Sequence, residues 1–184
     1  MLDRSDLIDG LRDVVSRLRE RGEPCGIRIV GGAALSLRYF ERRTTEDIDA
    51  KIHPSDATFA VAEAIARERG WPNDWLNDNA SQFVPIVRDE WEPLYDDGRI
   101  GVWVASAPML LAMKLRASRP GRDDDDIAKL LVICGIGDLA SAERHFEEFY
   151  PGEVLSDRAL VVLGVILGEG LPARPDEPEL PLLG

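Results

Sequence analysis

Two aspartates two residues apart, Asp47 and Asp49, are the side chains of this sequence best placed to do chemistry. On a strand they project from the same face, with Ile48 turned the other way into the core. Two parallel carboxylates repel each other unless a cation sits between them. An all-oxygen set favours Mg²⁺, which takes one or two carboxylates plus substrate phosphates. Upstream, Gly31-Gly32 follows the apolar run Ile27-Arg28-Ile29-Val30. Paired glycines let the backbone turn with no side chain in the way of a ligand. The helix that follows aims its unpaired N–H groups and positive dipole end at the same spot, which suits a phosphate. Asp-x-Asp alone is common on solvated strand edges, and Gly-Gly alone is only a turn. In this order, with a helix and a bend between them, they describe a site for a nucleoside triphosphate.

Other residues are candidates by position. Arg42, Arg43, Thr44 and Thr45 immediately precede the carboxylates. The planar fork of Arg suits phosphate oxygens, and Arg43 and Thr45 lie nearest the pair. Lys114 shares the apolar stripe of Leu110 and Leu111, so on position alone it snorkels to the rim or reaches a buried anion. Asp123 to Asp126 open a helix, where the dipole favours acids. Asp123 and Asp126 precede Ile127 and Leu130 by one turn and face inward, whereas Asp125 pairs with Lys129 at i,i+4. His53 and His145 lack metal-ligand spacing, and Cys25 and Cys134 read as ordinary thiols. There is no Gly-x-Ser-x-Gly and no P-loop Gly-Lys-Ser/Thr. Trp71, Trp75 and Trp91 read as packing under a long connection, with base stacking the lesser alternative.

The elements that must position these groups follow from periodicity. Residues 5–20 form an amphipathic helix with Ser5 as its N-cap. A strand at 27–30 leads into a helix at 33–40, and a polar bend leads into a strand at 47–52. Ser55 caps a helix at 56–69, ended by Gly70. Residues 71–80 are loop, 82–87 a weaker strand, and 99–105 a good alternating strand. Ser106 and Pro108 open a helix to Ser118, and further helices span 124–134, 139–149 and 156–168. Pro172, Pro175, Pro178 and Pro181 recur every third residue, as in a polyproline II strand. That segment either packs on its own domain or docks a partner.

The chain has 184 residues, with 22 Lys and Arg against 34 Asp and Glu, a net charge of -12. Such acidity opposes a broad nucleic-acid surface, which relies on clustered cations. Two cysteines exclude a disulfide scaffold. The first residues lack the apolar core of a secretory signal, and no run is long enough to span a membrane. A cytoplasmic globular protein is the class expected.

Val30-Gly31-Gly32-Ala33-Ala34-Leu35 and Arg43-Thr44-Thr45-Glu46-Asp47-Ile48-Asp49 resemble the polymerase-β-type nucleotidyltransferase superfamily. More closely, the chain resembles the AbiEii/MenT-like nucleotidyltransferases, known as toxins of toxin–antitoxin systems, and their uncharacterised relatives. Leu110-Leu111-Ala112-Met113-Lys114-Leu115-Arg116-Ala117 is similar to that group's Lys-Leu helix, and Arg122-Asp123-Asp124-Asp125-Asp126-Ile127 to its Arg-Asp-x-x-Asp-Ile segment. Asp74-Trp75-Leu76-Asn77-Asp78 looks like a signature of its small members.

The resemblance implies nucleotidyl transfer. Asp47 and Asp49 hold Mg²⁺, while Gly31, Gly32, Arg43, Thr45 and Lys114 bind the NTP. Asp123 orients a group or acts as a base. The acceptor is a hydroxyl of RNA (a tRNA 3′ end) or of protein, with a cognate antitoxin as a further partner. Many polymerase-β-type enzymes carry a third carboxylate on a later core strand. Here that strand, Arg99 to Ala105, has none, and Asp123 is the candidate substitute. The alternative is a non-catalytic nucleotide- or partner-binding module with the same fold. The architecture expected is one mixed α/β (α+β) domain over residues 1–170: a short mixed sheet flanked by helices with a helical C-terminal half. A Pro-rich tail follows at 171–184.

Overall fold

A computed structural model describes residues 1–41 and 44–184. The elements in chain order are α1 (Arg4–Arg21), β1 (Cys25–Ile29), α2 (Gly31–Arg38), β2 (Ile48–His53), α3 (Asp56–Arg69), β3 (Leu76–Asn77), a 3-10 turn (Ser81–Phe83), β4 (Trp91–Asp96), β5 (Ile100–Ala105), α4 (Ala107–Ala117), α5 (Asp124–Cys134), α6 (Leu139–Phe149) and α7 (Asp157–Glu169). The fold is mixed α/β, as expected. The chain forms two compact units. The first holds Met1–Gln82, Trp91–Ala105 and Asp176–Gly184; the second holds Phe83–Glu90 and Ser106–Pro175.

The first unit is built on a five-stranded sheet in the order β3-β2-β1-β5-β4. β1 runs antiparallel to β2 and parallel to β5, β2 parallel to β3, and β4 antiparallel to β5. Alternation sorts its side chains. Ile27, Ile29, Ile48, Ala50, Val102 and Val104 are fully buried, whereas Arg28, Asp49 and Trp103 on the opposite face are half-buried. Burying a Val or Ile side chain contributes about 1.5–3 kcal/mol, so the buried side fixes the register of β1, β2 and β5. A one-residue slip of β2 would turn Asp49 into the core.

β3 is only two residues long, and its place is set by Trp75. The indole is fully buried, and its N–H donates to the Ala62 carbonyl at 2.9 Å. A Cβ on Gly10 of α1 would sit 2.7 Å from the Trp75 ring, so glycine there is what admits the indole. The Trp75 carbonyl then accepts from the Ile48 N–H at 2.6 Å, and β3 continues beside β2.

The second unit contains α4 to α7. Three of these helices are capped at their starts by side chains: Ser106 accepts from the Met109 N–H, Asp138 from Ser141 and Ser156 from Ala159. Each such cap satisfies a donor that the helix leaves unpaired.

Several expectations need correction. Ser5 lies inside α1. The cap is Asp3, in a reciprocal box with Asp6, because a carboxylate three residues before another can exchange bonds with both backbone N–H groups. Ser55 occupies the start of α3 without capping it, since its hydroxyl donates to Asp56. The strand at 82–87 does not form: a 3-10 turn replaces its start, Pro85 interrupts the run, and Phe83, Ile86 and Val87 are exposed. Trp91, read as packing under a long connection, opens β4 (Trp91–Asp96). β4 accommodates Pro93 because it is an edge of the sheet, where a missing N–H costs no ladder bond. For the Pro-rich tail one of the two readings, packing on its own chain, is what is seen, and its last nine residues belong to the first unit. Arg12 donates to the Leu182 carbonyl at 3.1 and 3.2 Å, Arg4 to that of Glu179, and Leu183 is buried. Among the described residues, no helix is long and apolar enough to cross a membrane.

Candidate active site

The sequence places a glycine pair at the end of β1 and a carboxylate pair at the start of β2, and antiparallel pairing brings them together. The Val30 N–H donates to the Asp49 carbonyl at 2.9 Å, so the chain enters α2 beside Asp49. Helix α2 begins at Gly31 itself, two residues earlier than its periodicity shows. Gly31 has φ +67°, a left-handed conformation that side chains rarely adopt, and a Cβ there would lie 3.4 Å from Asp49 Oδ2. Both facts favour glycine. Val30, the residue before the helix, offers no side-chain cap. Gly32 lies in the same first turn of the helix.

Asp47 immediately precedes β2 and is half-buried. Its carboxylate accepts from Asn77 Nδ2 at 2.9 Å. Asn77 is itself fixed: Nδ2 also donates to the Asp74 carbonyl at 3.1 Å, and Oδ1 accepts from the Asn79 N–H at 2.9 Å. Asn77 is therefore a positioning residue for Asp47. Its only signal in the sequence was membership of the Asp74–Asp78 stretch. Thr45 works through its backbone, exchanging bonds with Leu2 at 2.7 and 2.9 Å, while its hydroxyl donates to the Asp47 carbonyl at 3.2 Å. It anchors the segment that delivers Asp47. Arg42 and Arg43 lie outside the described residues.

Among the described residues, no group of three or more His, Cys, Asp or Glu side chains is placed to share a metal ion. Two hard carboxylates beside an opening that a Cβ would fill still fit Mg²⁺, which completes its shell with water and substrate oxygens. On β5, the positions facing the same way as Asp49 are Gly101, Trp103 and Ala105, so the strand supplies no third carboxylate.

In the second unit, Lys114 and Asp123 are brought together. Lys114 does not snorkel. It is buried, and its Nζ donates to Asp123 Oδ1 at 2.6 Å and Asp126 Oδ2 at 2.8 Å. Arg119 reaches Asp123 Oδ2 at 3.0 Å. Burial alone would push the Asp123 carboxyl up. Hydrogen bonds and charge from Lys114 and Arg119 outweigh it and hold the group below the usual carboxylate range. The inward placement read for Asp123 and Asp126 is what the structure shows, as is the surface pair Asp125–Lys129 at 2.6 Å. Neither cysteine is placed as a nucleophile: Cys25 is buried against Thr58, and burial pushes the Cys134 thiol up to about 12.

No curated protein and no solved structure matches the chain. A family model does, over residues 7–147, which takes in both carboxylates, the glycine pair, Lys114 and Asp123. The chain belongs to that family, described as a nucleotidyltransferase of unknown function (DUF6036).

Proposed function

We propose that the chain is a Mg²⁺-dependent nucleotidyltransferase that moves an NMP from an NTP to a hydroxyl of RNA or protein, as the toxin of a toxin–antitoxin pair. Family membership supports nucleotidyl transfer in general. The observation that carries the finer reading is the close approach of Asp49 to Gly31, which sets a carboxylate against the opening turn of α2.

The residues divide the work as follows. Gly31 and Gly32 present backbone N–H groups to the phosphates. Asp47 and Asp49 are the residues that would hold Mg²⁺, and Asn77 keeps Asp47 turned toward that task. When bound, the metal supplies Lewis-acid stabilisation of charge on the phosphoryl oxygens. Thr45 ties down the segment preceding the pair, so the carboxylates lose little entropy when a ligand arrives. The resemblance assigns Lys114 to the phosphates and Asp123 to orienting or base chemistry. The NTP base, the acceptor and a cognate antitoxin belong to this proposal too.

The test is incubation with each labelled NTP, Mg²⁺, total tRNA and lysate. Label in RNA or protein that vanishes in Asp47→Ala and on chelation supports transfer. Mg²⁺-dependent NTP binding with no label from any NTP supports the non-catalytic module instead.

A further inference from the structure

The face of the first-unit sheet that carries Asp49 has a second chemical character. In the register, Arg28 of β1 stands opposite Lys51 of β2 and opposite Trp103 of β5. Directly paired strand residues share a face, so these three form one row across the sheet. The Arg28 guanidinium lies 5.5 Å from the Trp103 ring centre and 5.8 Å from that of Trp91 on β4. It makes no hydrogen bond or ion pair with any described residue, and neither does the exposed Lys51. Arg17, Arg38, Arg69, Arg88, Arg116 and Arg119 each reach a carboxylate, and acids outnumber bases 34 to 22. A half-buried guanidinium held between indoles, with its donor fork unspent, is preset for an anion from outside.

Trp103 supplies the other half of the recognition. A Cβ on Gly101 would collide with its ring, and one on Gly26 would lie 3.6 Å from it. The indole therefore lies along a glycine floor, as a platform does. Asp49 and Lys51 are two residues apart on β2, roughly 7 Å, so whatever Arg28 and Lys51 hold ends beside the carboxylate pair.

We infer that this face binds single-stranded RNA, with phosphates on Arg28 and Lys51 and a base on Trp103, and that the acceptor hydroxyl belongs to that RNA. An acidic peptide would meet the cations and leave the indoles unused; a nucleic-acid strand uses both. The inference rests on the transfer reading only in making the bound strand the acceptor. It also suits the overall charge of -12, because two cations and an indole grip one end of a strand and need no broad basic surface.

The test is fluorescence anisotropy of the full chain with a 5′-labelled, mixed-sequence 12-nucleotide RNA at low salt. Arg28→Gln and Lys51→Gln each weaken binding about 5- to 10-fold, and the double variant about 30-fold or more. The log–log salt slope falls by about 0.7 for each phosphate that a variant no longer neutralises. Trp103→Ala weakens binding about 10-fold, and Trp103→Phe, which keeps a stacking ring, retains most of it. Thermal melts by circular dichroism confirm that each variant is folded, and exposed Lys51→Gln carries the test if Arg28→Gln does not fold. RNA affinity equal in all variants, or no wild-type binding at 100-fold excess of chain over probe, overturns the inference. So does displacement of the RNA by excess NTP or by polyglutamate, which would assign the face to nucleotide or to acidic protein. Transfer of label to protein without RNA binding overturns this inference and leaves the transfer reading intact. RNA binding with no transfer to any acceptor does the reverse.

Discussion

Each unit contains a pair of aspartates, and the two pairs differ in burial and in the neighbours that hold them. Asp47 and Asp49 are half-buried, and Asp47 is steered by the neutral amide of Asn77. Asp123 and Asp126 are buried, and a buried ammonium bridges them while a guanidinium covers Asp123. Two carboxylates, one ammonium and one guanidinium therefore meet in the second cluster. An amide orients a carboxylate without itself cancelling the charge. Residue type alone does not separate the two; burial does.

Variants can break that comparison. The largest effect expected is on transfer: Asp47→Asn or Asp49→Asn lowers the rate on the order of 1,000-fold, since metal stabilisation is worth several kcal/mol. Their urea midpoints stay near wild type. Second, Lys114→Met leaves two buried carboxylates facing each other and costs about 3–5 kcal/mol by urea denaturation. A Lys114→Met chain that unfolds like wild type and loses only transfer would show that the ammonium serves chemistry and not the fold, and would end the contrast. Third, Asn77→Ala removes the steering amide and lowers Mg²⁺ affinity about 10- to 100-fold, with a smaller change in stability, read by Mg²⁺ titration of NTP binding.

Acid tests the second pair further. The folded carboxyl of Asp123 sits below its unfolded value of about 3.9. Its contribution to stability is therefore present above that value and is lost as pH falls through the folded one. Unfolding free energies measured at successive pH values from 7 to 3 decline toward acid in the wild type, and Asp123→Asn flattens part of that decline. The smallest effect belongs to the exposed pair Asp125–Lys129: Asp125→Ala changes stability by about 0.3–0.5 kcal/mol, less in high salt.

How much of this was legible depended on whether a signal was local. Helices α3 to α7 were readable within a residue or two, because apolar spacing and caps lie inside each segment. β1, β2 and β5 were readable from alternation. β3 and β4 were not: one is two residues placed by a tryptophan that fits against Gly10, and the other is an edge strand that tolerates Pro93. The glycine and carboxylate motifs named the parts of the first site, but Asn77 steering Asp47 is a contact across 30 positions. The apolar stripe of Lys114 allowed a snorkel as well as a buried anion, and the two partners that decide between them depended on how α4 meets α5. The row Arg28–Lys51–Trp103 existed only once the register was known.

The division into two units has a practical corollary. The chain passes from one to the other after Gln82, Glu90, Ala105 and Pro175. Neither unit is a continuous stretch of sequence, so no single cleavage releases either as an intact fragment. A nick at any one crossing leaves the first unit assembled from both pieces of the chain, held together without a covalent link. Dissecting the protein therefore requires circular permutation or loop-bridged redesign rather than truncation.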